Sequence, residues 1–224
     1  GQVPKDARPH GDSASGDDDI VATPLSVAYV LQGKLAKSDL NFNVSFTANM
    51  PVSSQGKAAT FSTYDHVNFS NPTPRYKVVR FGAAYFTQIE SDWQFRAAFS
   101  GQWSGDELIQ GEQMRLGGAD GVRGFSEGSE TGEQGIKFNF EGYAPAWQRG
   151  EVNLRGLMFV DAGSVSSKSA NATTSIAGAG FGVRAGYSEK YSLRLDAGRI
   201  MRAGSDPAQA AGDWRIHAML AGTF

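Results

Sequence analysis

The chain has 224 residues, a net charge of −2 and no cysteine, which excludes disulfides and thiolate metal sites and gives no basic excess typical of nucleic-acid-binding proteins. Its 28 glycines and 14 phenylalanines are typical of a protein built from many strands and turns. No run reaches the ~18 to 20 apolar residues of a membrane helix. In a transmembrane β-strand only every second residue is apolar, so the absence of a long apolar run does not exclude a membrane β-barrel. We interpret the chain as one structural unit.

The first 19 residues predict a polar linker or loop. They contain two prolines and an acidic run at 17–19, with almost no apolar residue. Three adjacent carboxylates lack the spaced ligands of a calcium loop, so we interpret the run as solvated. Residues 20–224 then form the second predicted region.

Apolar and polar residues alternate repeatedly from residue 20 onwards, which predicts β-strands. In the clearest segment Phe42, Val44 and Phe46 share one face, while asparagine, serine and threonine occupy the other. About ten segments of strand length follow this pattern. They begin near Pro24, Leu40, Ala59, Arg75, Asp92, Ile136, Glu151, Ile176, Tyr191 and Asp213.

The polar faces of these segments favour a membrane barrel over a soluble sandwich. Several segments reach the ~9 to 11 residues that a transmembrane strand needs, whereas a mean globular strand has ~5 to 6. An arginine facing lipid would cost ~2 to 4 kcal/mol near the midplane, so the charged face should line a wet lumen. The residues on that face are Arg96, Lys137, Glu141, Arg155, Asp161, Arg184, Arg194, Asp196, Arg215 and His217.

A glycine-rich stretch, QMRLGGADGVRGF at 113–125, interrupts the alternation within a predicted loop at about 104–134. Gly117, Gly118 and Gly124 allow tight backbone turns, so a plain glycine-rich turn is one interpretation. The other is that Arg123 is held at the tip of a compact loop that folds inward. Asp161, on the predicted lumen face, is a plausible partner for this arginine.

The sequence does not predict an enzyme. The three histidines, His10, His66 and His217, share no metal-binding spacing, and only His66 has an adjacent carboxylate. There is no nucleophile elbow, and GGADGVRG lacks the glycine spacing and lysine of a phosphate-binding loop. We therefore expect no catalytic residue, no metal site and no cofactor.

Three motifs in order carry a resemblance to a known family. They are VRGF (Val122 to Phe125) preceded by LGG, a G-x-x-F-x-D-x-G strand (Gly156, Phe159, Asp161 and Gly163) and the terminal Phe224. Together they resemble the outer-membrane protein-translocating barrels that carry POTRA domains. The phrases LIQGEQMRLGGADGVRGF and WRIHAMLAGTF are most similar to the two-partner secretion transporters, of the haemolysin secretion/activation type.

The resemblance implies a sixteen-stranded, antiparallel transmembrane β-barrel in the bacterial outer membrane, of which this chain holds about the last ten strands. The loop bearing VRGF would fold into the pore, with Arg123 contacting Asp161. Phe224 would match the signal read by the barrel-assembly machinery. POTRA domains, expected upstream, do not occur in the sequence.

The function expected from the resemblance is export of a large secreted partner protein without ATP, through a pore gated by the docked loop. An outer-membrane assembly or insertion factor of the same superfamily is the alternative. In a wet lumen the Arg123–Asp161 pair should contribute ~1 to 3 kcal/mol, enough to bias a two-state loop. Outer-membrane lipid is the remaining expected partner, and no nucleic acid is expected.

Overall fold

A computed structural model describes residues 20–52, 72–188 and 190–223, and these residues form an almost entirely β structure. Strands alternate with turns and loops, and two single-turn 3-10 helices lie at Glu90–Asp92 and Gln110–Glu112. The strands are β1 (Pro24–Leu35), β2 (Ser38–Asn49), β3 (Lys77–Gln88), β4 (Gln94–Trp103), β5 (Met114–Leu116), β6 (Glu130–Gly132), β7 (Gln134–Tyr143), β8 (Trp147–Arg149), β9 (Val152–Ser167), β10 (Ala172–Tyr187), β11 (Tyr191–Arg202) and β12 (Trp214–Gly222).

One antiparallel sheet contains all the long strands. Its order is β1-β2-β3-β4-β7-β9-β10-β11-β12, and the short β8 also pairs with β9. Each long strand therefore pairs with the next long strand along the chain. Within the described ranges, β1 and β12 are the two ends of the sheet. The predicted all-β, antiparallel fold is confirmed.

Strand β9 shows how the alternation divides the two faces of the sheet. Met158 and Val160 are 69% and 56% exposed, whereas Leu157, Phe159 and Asp161 are at most 4% exposed. Large apolar side chains likewise cover the outside of the neighbouring strands, as Phe138 and Phe140 do on β7. The opposite face, called the polar face below, carries the charged residues and packs against the loop between β4 and β7.

The connections at the two ends of the strands differ in length. At one end are the short turns after β1, β3 and β10, and at the other end are the loops at 104–133 and 203–213. The loop at 104–133 therefore enters from the side of the sheet that carries these longer connections.

The structure adds three short strands that the alternation did not predict. Strands β5 and β6 pair within the 104–133 loop, and β8 continues the line of β7 beyond a break at 144–146. The predicted strand at 59–69, the linker at 1–19, Phe224, His10 and His66 lie outside the described residues. Within the described ranges, no helix is long and apolar enough to cross a membrane.

Candidate functional site

The loop between β4 and β7 packs onto the polar face of the sheet through an apolar cluster. Its Leu116, Val122 and Phe125 are each at most 1% exposed. They pack with side chains from β9, β10 and β11, and this cluster also comprises Val165, Ile176 and Ile200. Burial of three large side chains from one loop is a substantial hydrophobic contribution, about 1.5 to 3 kcal/mol for each. The loop is therefore part of the folded core.

Arg123 lies at the centre of the contact between the loop and the sheet. Its Nε and Nη2 donate to Asp161 Oδ2 and Oδ1 at 2.7 and 2.8 Å, a bidentate arrangement. Its backbone N–H also donates to Asp161 Oδ2, at 3.1 Å. The structure thus brings together the two residues that the sequence analysis paired.

Three further groups surround the guanidinium. Nη1 donates to Glu141 Oε1 at 2.6 Å, and the guanidinium carbon lies 3.5 Å from the centre of the Phe159 ring. Asp196 Oδ2 lies 3.8 Å from Nη1, so three carboxylates face one cation. Burial opposes the charged guanidinium, but its hydrogen bonds and the negative charges of Asp161 and Glu141 outweigh this effect and raise the pKa of Arg123 above its ordinary value.

The pair is buried, which bears on its energetics. Arg123 is 1% exposed and Asp161 is 0% exposed. The estimate of ~1 to 3 kcal/mol was made for a pair in a wet lumen and stays a prediction. Removing one partner of a buried pair costs about 3 to 5 kcal/mol, because the other charge is left uncompensated.

Glycines on both sides permit the close approach of the loop backbone. Gly124 has a φ of +103°, a conformation that side chains rarely adopt. On the sheet, a Cβ at Gly178 would collide with the carbonyl oxygen of Arg123, and one at Gly198 would lie 2.5 Å from the nitrogen of Gly124. A Cβ at Gly163 would lie 2.8 Å from Leu116. The glycines of the sheet thus leave room for the loop.

The remaining loop glycines named from the sequence have a local role. Gly117 and Gly118 have φ values of +80° and +99°. The N–H of Gly121 donates to the carbonyl of Gly118 at 3.1 Å, which closes a turn just before Val122. Gly117 and Gly118 therefore shape the loop, and neither makes a hydrogen bond with Arg123 in the described part of the chain.

Glu141 and Asp196 are the site residues that the sequence analysis did not assign to the contact. Both were placed on the polar face, which is where they lie, at 5% and 0% exposure. Tyr143 Oη donates to Glu141 at 2.7 Å, and Arg184 makes two hydrogen bonds to Asp196 at 2.7 and 3.1 Å. Their convergence on Arg123 depends on the register of four strands, which periodicity alone does not set.

The base of the loop is bonded to neighbouring connections. The backbone N–H and the hydroxyl of Ser126 donate to Gln209 Oε1 at 2.7 and 3.1 Å. Glu130 accepts from the N–H and hydroxyl of Ser205 at 2.6 and 2.8 Å. Buried Glu133 accepts from the N–H of Lys168 at 2.8 Å. These contacts join the loop to the connections after β9 and β11.

The described part of the chain contains no group of histidine and acidic residues that could hold a metal ion. The carboxylates near Arg123 are instead bonded to arginine, tyrosine and asparagine side chains. The arrangement is suited to holding a loop against a wall.

Comparisons with known proteins identify relatives of this structure. A family model described as haemolysin secretion/activation protein ShlB/FhaC/HecB matches residues 22–185. Among curated protein sequences, none matches the chain. CdiB from Escherichia coli superposes with a TM-score of 0.74 at 21% identity, over 91% of this chain and 37% of that chain. CdiB from Acinetobacter baumannii gives a TM-score of 0.62 at 20% identity, over 89% of this chain and 32% of that chain.

Both structural relatives are outer-membrane barrels, so the likeness assigns the sheet to a partial barrel wall. The chain spans about a third of the length of each relative. The polar face of the sheet is accordingly the lumen face, and the apolar face is turned to lipid.

Proposed function

Because the chain belongs to the haemolysin secretion/activation family, we propose that it forms the pore wall and the gating loop of a two-partner secretion transporter. The family consists of outer-membrane transporters, and the chain is located in the bacterial outer membrane. Two-partner secretion pairs one transporter with one secreted protein. The proposed cargo is therefore a single large partner protein.

The observation that carries the proposal is the depth at which Arg123 is buried. Asp161 lies six residues from the loop-side end of β9 at Ser167, which is about 20 Å along an extended strand. The loop at 104–133 thus reaches well into the lumen. A loop in this position obstructs the path that an exported polypeptide would follow.

Opening such a pore requires the loop to change its contact with the wall. Export by this route uses neither ATP nor a redox cofactor in our proposal, so binding of the partner must supply the free energy of opening. The buried contact makes this free energy larger than an exposed ion pair would require. The docked loop is then a stable closed state that the partner displaces.

Secretion of the partner by the full-length transporter tests this function. We expect Arg123→Ala and Asp161→Ala each to lower the secretion yield, because the undocked loop lacks the defined starting position from which the partner displaces it. Arg215→Ala is the matched control, since Arg215 lies on the lumen face of β12 and donates no hydrogen bond to loop residues in the described chain. Normal secretion by both single variants would remove the docked loop from the mechanism.

The assay also distinguishes the transporter from an assembly factor. Depletion of an exporter removes one protein from the medium and leaves other outer-membrane proteins in place. Depletion of an assembly factor lowers many outer-membrane proteins together, and that result would contradict the proposal. The charge-swapped variant, Arg123→Asp with Asp161→Arg, should recover part of the secretion if the pair acts as a unit.

A further inference from the structure

Three consecutive carbonyl groups at the tip of the loop accept hydrogen bonds from the barrel wall. Arg194 Nη2 donates to Ala119 O, Lys137 Nζ donates to Asp120 O at 2.7 Å, and Asn139 Nδ2 donates to Gly121 O at 2.8 Å. These donors come from β11 and β7, on either side of β9 and β10. The wall therefore contacts the main chain of the tip, two to four residues before Arg123.

Arg194 is the only one of the three donors that lies on β11, and its own position is well defined. Its Nε donates to Asp196 Oδ2 at 2.8 Å, and Asp196 is 0% exposed. Its Nη1 donates to Asp120 Oδ1 at 2.8 Å. The guanidinium thus uses all three of its nitrogens, one on the wall and two on the loop.

We propose that Arg194 is a positioning residue that holds the loop tip closed from β11, in addition to the Arg123 contact on β7 and β9. The inference rests on the proposed gating function and adds a second attachment to it. A planar guanidinium with fixed donors suits this role, because it can bind a carbonyl and two carboxylates at once. The loop would then open only when both attachments are released.

The two loop groups bound by Arg194 should contribute unequally. The Asp120 side chain is 79% exposed, so its ion pair with Arg194 is screened by water and contributes little. The carbonyl of Ala119 is a main-chain acceptor that every residue provides. Side-chain substitutions at Ala119 and Asp120 should therefore be tolerated better than loss of Arg194.

Arg184 provides a matched control for Arg194. The two arginines lie directly opposite each other in the pairing of β10 with β11, and both bind Asp196. Removing either one leaves Asp196 bonded to the other. Of these two arginines, only Arg194 donates hydrogen bonds to the loop in the described structure. A difference between the two variants therefore reports the loop contact.

Limited proteolysis of the full-length transporter in detergent, without partner protein, tests the proposal. Trypsin cleaves after arginine, and Arg123 is buried in the closed state, so the rate of cleavage between Arg123 and Gly124 reports loop release. We expect Arg194→Ala to raise this rate about tenfold, since loss of a charge-assisted hydrogen bond has effects of this size. Arg184→Ala should change it by less than about twofold, and Asp120→Ala by about two- to threefold.

Equal cleavage rates for Arg194→Ala and Arg184→Ala, or no change in either, would overturn the proposal. If Arg194→Ala does not insert as a folded barrel, Arg194→Lys provides the second test, because one ammonium group cannot bind Asp196 and both loop groups at once, and we expect it to raise the rate about threefold. Because this assay needs no secretion, its result is separate from the proposed function. If Arg194→Ala lost secretion without faster cleavage, the proposed transporter function would stand and the proposed role of Arg194 would be wrong.

Discussion

The backbone N–H and the guanidinium of Arg123 donate to the same carboxylate, that of Asp161, with distances of 2.7 to 3.1 Å. This relationship fixes both the side chain and the main chain of the loop relative to β9. A side-chain contact alone would leave the loop free to shift around it. Attachment through both the side chain and the main chain explains how a long loop between β4 and β7 can have a single buried position.

Replacing Arg123 by lysine should weaken the closed state without abolishing it. Lysine retains the positive charge, but a single ammonium group cannot make the bidentate contact with Asp161 and also reach Glu141 with the same geometry. We expect tryptic cleavage of the loop at Arg115 in Arg123→Lys to fall between the rates of wild type and Arg123→Ala. A lysine variant as resistant as wild type would show that charge alone holds the loop.

The two carboxylates of the site should differ in importance. Asp161 binds Arg123 through three hydrogen bonds and Asn139 through one, whereas Glu141 binds Arg123 through one. We therefore expect Asp161→Asn to release the loop more than Glu141→Gln, measured as cleavage after Arg123. The reverse order would mean that the contact with β7 dominates the closed state.

Adding one methyl group at Gly178 should displace the loop. A Cβ at this position would collide with the carbonyl oxygen of Arg123, a main-chain atom that cannot move without the loop. Gly186→Ala is the matched control, because it lies on the same face of β10 and its Cβ would have contacts of 3.9 to 4.0 Å. We expect Gly178→Ala, and not Gly186→Ala, to increase ion conductance of the pore in planar bilayers. Equal conductance of both variants and wild type would contradict the described position of the loop.

The apolar cluster should contribute to stability separately from the ion pairs. Phe125 is 1% exposed and packs in the cluster with Val165, Ile176 and Ile200. Truncating a buried phenylalanine typically costs about 3 to 5 kcal/mol. We expect Phe125→Ala to lower the midpoint of urea unfolding of the refolded transporter in detergent, while Phe138→Ala on the lipid face changes it much less. Equal effects would show that Phe125 is not packed in the core.

The sequence was sufficient to predict the strands because the period of two assigns each side chain to a face. The same alternation placed Glu141, Arg194 and Asp196 on the polar face. Their convergence on one loop could not be predicted, because it depends on strand register, and a shift of one residue reverses the faces. The pairing of Arg123 with Asp161 was suggested by the position of Asp161 on the predicted lumen face, and the resemblance implied the same contact. The near-complete burial of this pair was missed, since it results from packing of the loop against β9, β10 and β11, which the alternation does not show.

The loop expected at about 104–134 corresponds in the structure to the connection between β4, which ends at Trp103, and β7, which begins at Gln134. Its internal pairing of β5 with β6 was not predicted, because each strand has only three residues. Strand β8 was missed for the same reason. Short segments carry too little alternation to be distinguished from turns.

Ion conductance of the full-length transporter without partner protein is the most direct test of the closed loop. In planar bilayers, Arg123→Ala should produce a larger and more persistent conductance than wild type, because the loop no longer fills the lumen at the level of Asp161. Arg215→Ala should behave as wild type. A conductance of Arg123→Ala that equals that of wild type, with the barrel folded and inserted, would contradict the account.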